Sequence, residues 1–260
     1  MSELRWLSLD NPPNGVRTLT MDRPPVNALG SELVDDLSLA LERLRSDAGA
    51  RCLVLRSGGR HFCAGADLKE RQGMSVGQVR AFVQRLSAVF TELAELPVPT
   101  IAAVRGAAVG GGCELALACD LRVLSEDASI GLRETALGIL PGAGGTQRLP
   151  RLVGPARAKR WIFAAQAHGA AEALADGVAD RVVASAELER AAGHLAEIIA
   201  SQGPVAVRLA KQAIDRGLEA TLEEGLRIEW DCYERTLETE DRVEALRAFA
   251  EKRPPRFRGR

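Results

Sequence analysis

The spacing of apolar and polar positions changes several times along the chain, and each change predicts an element. LRWLSL (4–9) and VRTLT (16–20) alternate as strands do and flank the turn cluster DNPPNG, which predicts an opening hairpin. In SELVDDLSLALERLR (31–45), Leu33, Leu37, Leu41 and Leu44 recur at helical spacing, with Ser31 as the expected N-cap. RCLVLR (51–56) reads as a buried strand and GGRHFCAG as a turn region. Residues 76–96 read as a long helix that Pro97 and Pro99 end before a strand at 100–104. Gly106 to Gly112 read as a glycine-dense loop, CELALAC as a short helix and LRVLS (121–125) as a further strand. Strands alternating with helices in this way predict an α/β core.

From about residue 155 the pattern turns almost continuously helical, over 155–165, 170–176, 185–201, 204–217, 221–237 and 239–251. Only a short apolar piece at 181–184 interrupts it. The expected division is therefore a core over 1–190 and a helical region over 191–260. The terminal KRPPRFRGR reads either as a solvated tail or as a contact segment. No internal repeat or low-complexity linker is visible.

Composition narrows the function classes. With 46% hydrophobic residues, 27% charged residues and a net charge of -1, the chain is that of a soluble globular protein with no general attraction to a polyanion. Lysine occurs only at Lys69, Lys159, Lys211 and Lys252, so the basic residues are mostly arginine. Cys52, Cys63, Cys113, Cys119 and Cys232 form no CxxC pair and read as reduced, buried thiols. No apolar run approaches the roughly 18 residues needed to cross a bilayer. MSELRWLSLD has neither a signal nor a transit pattern, so a cytoplasmic, bacterial protein that starts close to its folded part is expected.

The candidate chemistry lies in VGGGCELALACD (109–120), where the carboxylate Glu114 sits inside an apolar run. A glutamate in the first turn of a helix is favoured by the helix dipole by about 0.3–1 kcal/mol, which needs no function. Gly110, Gly111 and Gly112 would bare backbone N–H groups toward an anion at the start of a helix, or would simply form a tight packed turn. Glu134, in SIGLRETALGILPGAGGTQRLP, is a second carboxylate among apolar residues, with a solvated helix end as the alternative. Two such groups converging on one pocket would form an acid/base pair. GGGCE and PGAGGTQR are not GxGxxG after a strand, and no GxxxxGK is present. His61, His168 and His194 are far apart, and no GxSxG, HExxH or Cys/His cluster exists, so no metal site or serine triad is expected.

FCAGADLKE (62–70), PTIAAVRGAAVGGGCELALACDLRV (99–123), GLRETALGILPGAGGTQRLPRLVG (131–154) and FAEKRPPRF (249–257) together resemble the crotonase family, the enoyl-CoA hydratases and isomerases. The likeness runs from about residue 16 to the end. It implies a spiral of ββα repeats followed by a helical trimerisation region, assembled as a trimer or a hexamer of two trimers. It also implies an acyl-CoA thioester as substrate, with no separate cofactor because coenzyme A is part of that substrate. The family's oxyanion hole falls on the backbone N–H groups of Ala66 and Gly111, and its two hydratase glutamates fall on Glu114 and Glu134. Glu114 would deprotonate the water that adds to C3, and Glu134 would protonate C2. Coenzyme A would lie along Arg23, Val26, Ala28, Ala64, Ala66, Asp67, Leu68 and Lys69, with Phe249 and Lys252 reaching a neighbouring subunit's nucleotide.

Having both glutamates favours a hydratase over an isomerase. Within the family, FCAGADLKER, LRETALGILPGAGGTQRLP and DRVEALRAFAEKRPPRFRG look most like the methylglutaconyl-CoA hydratases of leucine breakdown. That substrate has a distal carboxylate, for which Lys69, Arg71, Arg105 and Arg133 are the candidate cations. One animal relative also binds AU-rich RNA through a lysine-rich helix. The matching ALERLRSDAGARC has no lysine and the chain has no net positive charge, which argues against nucleic acid as a partner.

Overall fold

The opening hairpin forms where the alternation predicts it, as β1 (Leu7–Asp10) and β2 (Val16–Met21), antiparallel with Leu9 opposite Leu19. The computed structural model describes residues 4–260. Met1–Glu3, part of the stretch read for the start of the chain, lie outside the described residues. There follow α1 (Ser31–Ser46), β3 (Cys52–Ser57), α2 (Leu68–Gln72), α3 (Val76–Ala94), β4 (Thr100–Val104), β5 (Ala107–Val109), α4 (Gly111–Leu117), β6 (Leu121–Ser125) and β7 (Ser129–Gly131). A 3-10 turn at Glu134–Leu137 leads into α5 (Gly145–Val153), α6 (Pro155–Ala164), β8 (His168–Gly169), α7 (Ala170–Asp176) and β9 (Arg181–Val183). Four helices close the chain: α8 (Leu188–Ala200), α9 (Pro204–Gly217), α10 (Leu222–Leu237) and α11 (Glu240–Ala250).

Two sheets result. The larger has the order β1-β2-β3-β4-β6-β9 and is parallel from β2 onward; the smaller has the order β5-β7-β8. Successive turns of the chain add one strand to each, β4 then β5 and β6 then β7, which is the expected spiral of strands and helices. The core is built by the predicted stripes. Leu33, Leu37, Leu41 and Leu44 of α1 are each at most 2% exposed and join Leu86, Phe90 and Leu93 of α3 in one cluster. Each such leucine contributes about 1.5–3 kcal/mol by burial.

Three local expectations change. The N-cap of α1 is Gly30 rather than Ser31, which is already helical. Its N–H and hydroxyl are both taken by the Glu70 carboxylate of α2, so a distant acid does the work expected of a local hydroxyl. The loop expected over 106–112 contains β5, which pairs with β7 in parallel, a non-local partner that local glycine content hides. Helix α8 straddles residue 190 and packs Leu188, Ala191, Ala192 and Ala196 against Val54, Ile101, Ala103 and Val123 of the larger sheet. All five cysteines are unpaired and buried. Helices α9 to α11 leave large apolar side chains outward, including Leu222, Trp230, Val243 and Phe249.

Candidate active site

The site begins with close approach of two backbone segments. Residues 62–67 are threaded between 26–29 and β5: Ala64 N donates to Val26 O at 3.0 Å, Cys63 N to Ala107 O at 3.0 Å, and Val109 N to Cys63 O at 3.1 Å. A Cβ on Gly112 would lie 2.0 Å from the Cys63 carbonyl oxygen, so only glycine lets α4 start against this segment. Gly65, at φ +85°, is equally confined, since its Cβ would lie 2.7 Å from Val109 O and 3.3 Å from the Gly111 nitrogen. The sequence therefore folds Ala66 and Gly111 onto one wall of a cavity of about 650 Å³. Gly111 is the first residue of α4, where an N–H has no intrahelical acceptor. Ala66 is bridged to Leu29 in parallel through its neighbours, Leu29 N to Gly65 O and Asp67 N to Leu29 O, so its own N–H turns away from Leu29.

Asn27 braces the same segment. Its side-chain amide donates to Ser57 Oγ at 2.8 Å, to Phe62 O at 3.1 Å and to His61 O at 3.2 Å, while its carbonyl accepts from the Cys63 thiol. Asn27 has no signature in the sequence, because a lone polar residue in a Pro-rich turn carries no pattern.

Both candidate carboxylates line this cavity. Glu114 is only 3% exposed, and its Oε1 accepts from Ala143 N at 2.8 Å and Gly145 N at 2.9 Å, at the start of α5. Such bonds to a charged acceptor contribute roughly 1.5–3 kcal/mol each and favour the ionised form. Burial pushes the Glu114 carboxyl up from its ordinary value, opposed by these two amides and then by the positive charges of Arg148 and Arg71. Neither amide was anticipated, because PGAGGTQR was tested only as a nucleotide loop. Its glycine pair at the start of α5 was the available signal.

Glu134 starts the 3-10 turn on the opposite side. A Cβ on Gly110, the left-handed N-cap of α4, would lie 3.4 Å from Glu134 Oε1, which places this carboxylate beside the helix start that carries Gly111. Its Oε2 is buried without a hydrogen-bond partner. Burial first, and the charge of Glu114 second, push Glu134 up to about 7. The two amides thus favour the charged form on one wall, while on the other burial and a neighbouring charge favour the protonated form. Much of the remaining wall is aliphatic, from Val79, Val83 and Leu86 of α3, from Leu137 at the end of the turn and from Ile139 and Leu140 after it.

The other sequence candidates separate by position. Ala64, Leu68, Arg71 and Arg133 line the cavity. Arg23 donates to Ala28 O at 2.7 Å and pairs with Asp67 at 2.9 Å, so Arg23, Ala28 and Asp67 form one cluster near the Val26 and Ala64 bond. Lys69 is exposed on α2 outside the cavity wall. Arg105 is held by Glu189 of α8 at 2.8 Å and does not face the carboxylates, which removes it as a contact for a bound acyl group. Phe249, 87% exposed, and Lys252 lie on the C-terminal segment, away from this cavity. Among the described residues no group of three or more His, Cys, Asp or Glu side chains is placed to hold a metal ion.

A family model described as Enoyl-CoA hydratase/isomerase matches residues 11–260. The chain is 51% identical over 263 residues to Enoyl-CoA hydratase domain-containing protein 2, mitochondrial, of Bos taurus, covering 99% of this chain and 89% of the relative. It is 48% identical over 263 residues to Methylglutaconyl-CoA hydratase, mitochondrial, of Homo sapiens, covering 99% and 78%. The crystal structure of an enoyl-CoA hydratase from Bacillus anthracis superposes with a TM-score of 0.97 at 45% identity, covering 98% of this chain and 100% of that one. The names of the two animal relatives place those proteins in mitochondria and lend no support to the cytoplasmic expectation. Among the described residues no helix is long and apolar enough to cross a membrane.

Proposed function

The chain belongs to the enoyl-CoA hydratase/isomerase family, and on that premise we propose that it adds water across the 2,3 double bond of an enoyl-CoA thioester. The observation that carries this reading is the pair of carboxylates in one cavity, one accepting two amides on a single oxygen and the other with one oxygen buried and without a partner. In the proposed reaction the thioester oxygen sits between the Ala66 and Gly111 N–H groups, which stabilise it as it becomes an enolate. A donor of this kind is worth about 3–4 kcal/mol of barrier in a comparable acyl transfer. Glu114 takes a proton from water as its oxygen bonds to C3. Glu134 gives its proton to C2 and is left ionised, so the pair holds one proton before and after the step. An isomerase needs only one carboxylate to carry a proton between carbons, and the second buried acid supports hydration instead.

As the finer substrate we propose 3-methylglutaconyl-CoA, hydrated to 3-hydroxy-3-methylglutaryl-CoA or formed from it. The support is chemical: Arg71 and Arg133 are cations in an otherwise largely aliphatic cavity, suited to a distal carboxylate. Coenzyme A would follow the Arg23, Ala28 and Asp67 cluster toward Leu68 and Lys69. Phe249 and Lys252 would serve a neighbouring copy, in a trimer or hexamer that also covers the apolar face of α10 and α11. Five unpaired thiols suit a reducing compartment, the cytoplasm in this proposal.

A panel of crotonyl-, long-chain enoyl- and 3-methylglutaconyl-CoA, followed by loss of the conjugated thioester absorbance, tests the reading. Preference for the carboxylated substrate is expected; preference for crotonyl-CoA would leave a short-chain hydratase, and no hydration of any member would remove the activity. Sedimentation of the same preparation should give a multiple of three protomers, and a monomer would refute the assembly.

A further inference from the structure

Behind Glu114, on the side away from the cavity, lies a guanidinium that the proposed chemistry has not used. Arg148, in α5, donates from Nη1 to the Ala143 carbonyl at 2.9 Å and from Nη2 to Thr91 Oγ1 of α3 at 3.3 Å. Ala143 presents its N–H, from the preceding peptide, to Glu114 Oε1, and Gly145 presents the second, from the following one. Gly144 between them is left-handed at φ +109°, and a Cβ there would collide with the Arg148 guanidinium. The arginine therefore packs closely against the turn that carries both amides. Arg148 does not line the cavity of the two glutamates; it faces the separate cleft bounded by Cys119, Asp120, Arg151 and Lys211. It reaches no reacting atom, yet it holds the peptide that lies between the two that grip Glu114.

We infer that Arg148 is a positioning residue for the proposed hydration: it fixes the turn at Ala143–Gly145 so that two amides hold one oxygen of Glu114 and leave the other to the attacking water. This rests on the hydratase reading of the same site. Oε1 is the oxygen that accepts both amides. With that oxygen occupied, Oε2 alone is available to water, and the turn sets the direction in which it points. The guanidinium also supplies a positive charge near a buried acid. The charged and titratable groups around Glu114 are Arg148 from α5, Arg71 from α2, Glu134 from the 3-10 turn and the neighbouring Cys113 thiol. Of the two cations, Arg71 lies within the cavity and would be shared with a bound ligand, whereas Arg148 serves the base in every state of the reaction.

The test replaces Arg148 with Gln and with Lys and reads turnover, KM and the titration of Glu114. Arg148→Gln should lower kcat by about 100-fold, the scale of a small misplacement of a reacting group, while KM changes little. The midpoint of Glu114, read by carbon NMR of labelled glutamate carboxyls, should move upward. Arg148→Lys, which keeps a charge without the fork, should restore the midpoint more fully than the rate. Thr91→Val cuts the tie to α3, together with a bond to Ser87 O inside that helix, leaves the Ala143 contact in place and should leave both near the parent values. An unchanged kcat and midpoint in Arg148→Gln would overturn the inference, and so would an equal loss in Thr91→Val, which would make the arginine a brace between helices. If Arg148→Gln fails to fold, Arg148→Lys with Thr91→Val decides by the same readings. The NMR titration needs no turnover: a parent protein that hydrates nothing removes the proposed function and with it the catalytic side of this inference, while the midpoint still reads the hold of Arg148 on Glu114; an active parent with kcat and midpoint both unmoved in Arg148→Gln removes the role of Arg148 alone.

Discussion

The two walls of the cavity carry the same functional group and treat it in opposite ways. Glu114 is the more buried, at 3% exposure, yet Glu134 is the carboxyl pushed up to about 7. Burial alone would order them the other way. What reverses the order is the supply of donors: α5 begins with two free amides beside Glu114, whereas Glu134 Oε2 meets none. The charge held on Glu114 then makes a second charge 20 positions along more costly. Identical side chains meet unlike environments because one wall is a glycine-opened helix start and the other a 3-10 turn with an aliphatic rim, which is what the proposed base and acid would need.

Abolishing the contrast should produce the largest effect. Glu114→Gln removes the base and should lower hydration by several orders of magnitude, about 10³-fold or more on the general scale for proton transfer in a positioned site. It should also lower the titration midpoint of Glu134, because the charge of Glu114 is one of the two causes that raise it. Glu134→Gln should be similarly inactive. Thermal unfolding of both variants should stay near the parent. Turnover by Glu114→Gln at the parent rate would end the two-carboxylate assignment.

A smaller loss is expected from disturbing the shared wall rather than either acid. In Gly112→Ala the new Cβ would meet the Cys63 carbonyl oxygen at 2.0 Å, a backbone atom that cannot swing aside. Either α4 or the 62–67 segment must shift, at a cost of about 1–3 kcal/mol typical of overpacking. The shift separates the Ala66 and Gly111 amides, so kcat should fall further than stability alone would explain. Gly138→Ala is the control, since a Cβ there meets nothing, although its φ of +70° carries a strain of its own. Equal effects of the two substitutions on kcat would detach the wall from the chemistry.

Much of this was legible in the residues. The leucine spacing in α1, the long α3 and the strands β3, β4 and β6 fall within a residue or two of where periodicity puts them. Elements that depend on distant partners were not: β5, β7 and β8 have three, three and two residues and exist only by pairing with one another. Helix α5 was hidden by Gly144 and Gly145 at its start and Pro150 within it, residues that argue locally for a loop. The apolar surroundings of Glu114 announced its burial. Its proton state was beyond a local reading, because the amides that set it come from residues 29 and 31 positions later.

The smallest expected effect is on pH dependence, and it sharpens the contrast without breaking it. Glu134 has a folded-state value near 7, raised above an ordinary 4.5, so it loses its proton as pH rises through about 7. Hydration needs that proton, and kcat/KM should fall about tenfold per pH unit above the limb. In the reverse direction the roles exchange, which taken alone would invert the limb. It should not, because hydration consumes no net proton, and the free enzyme must carry a single proton on the pair for either direction. The ratio of the two kcat/KM values is the equilibrium constant, which this reaction keeps independent of pH. The same high-pH limb should therefore appear in hydration and dehydration, belonging to the pair as a unit. Glu134→Gln should leave its residual activity flat across that range. A limb that survives in Glu134→Gln, or that differs between the two directions, would mean that another group holds the proton delivered to C2.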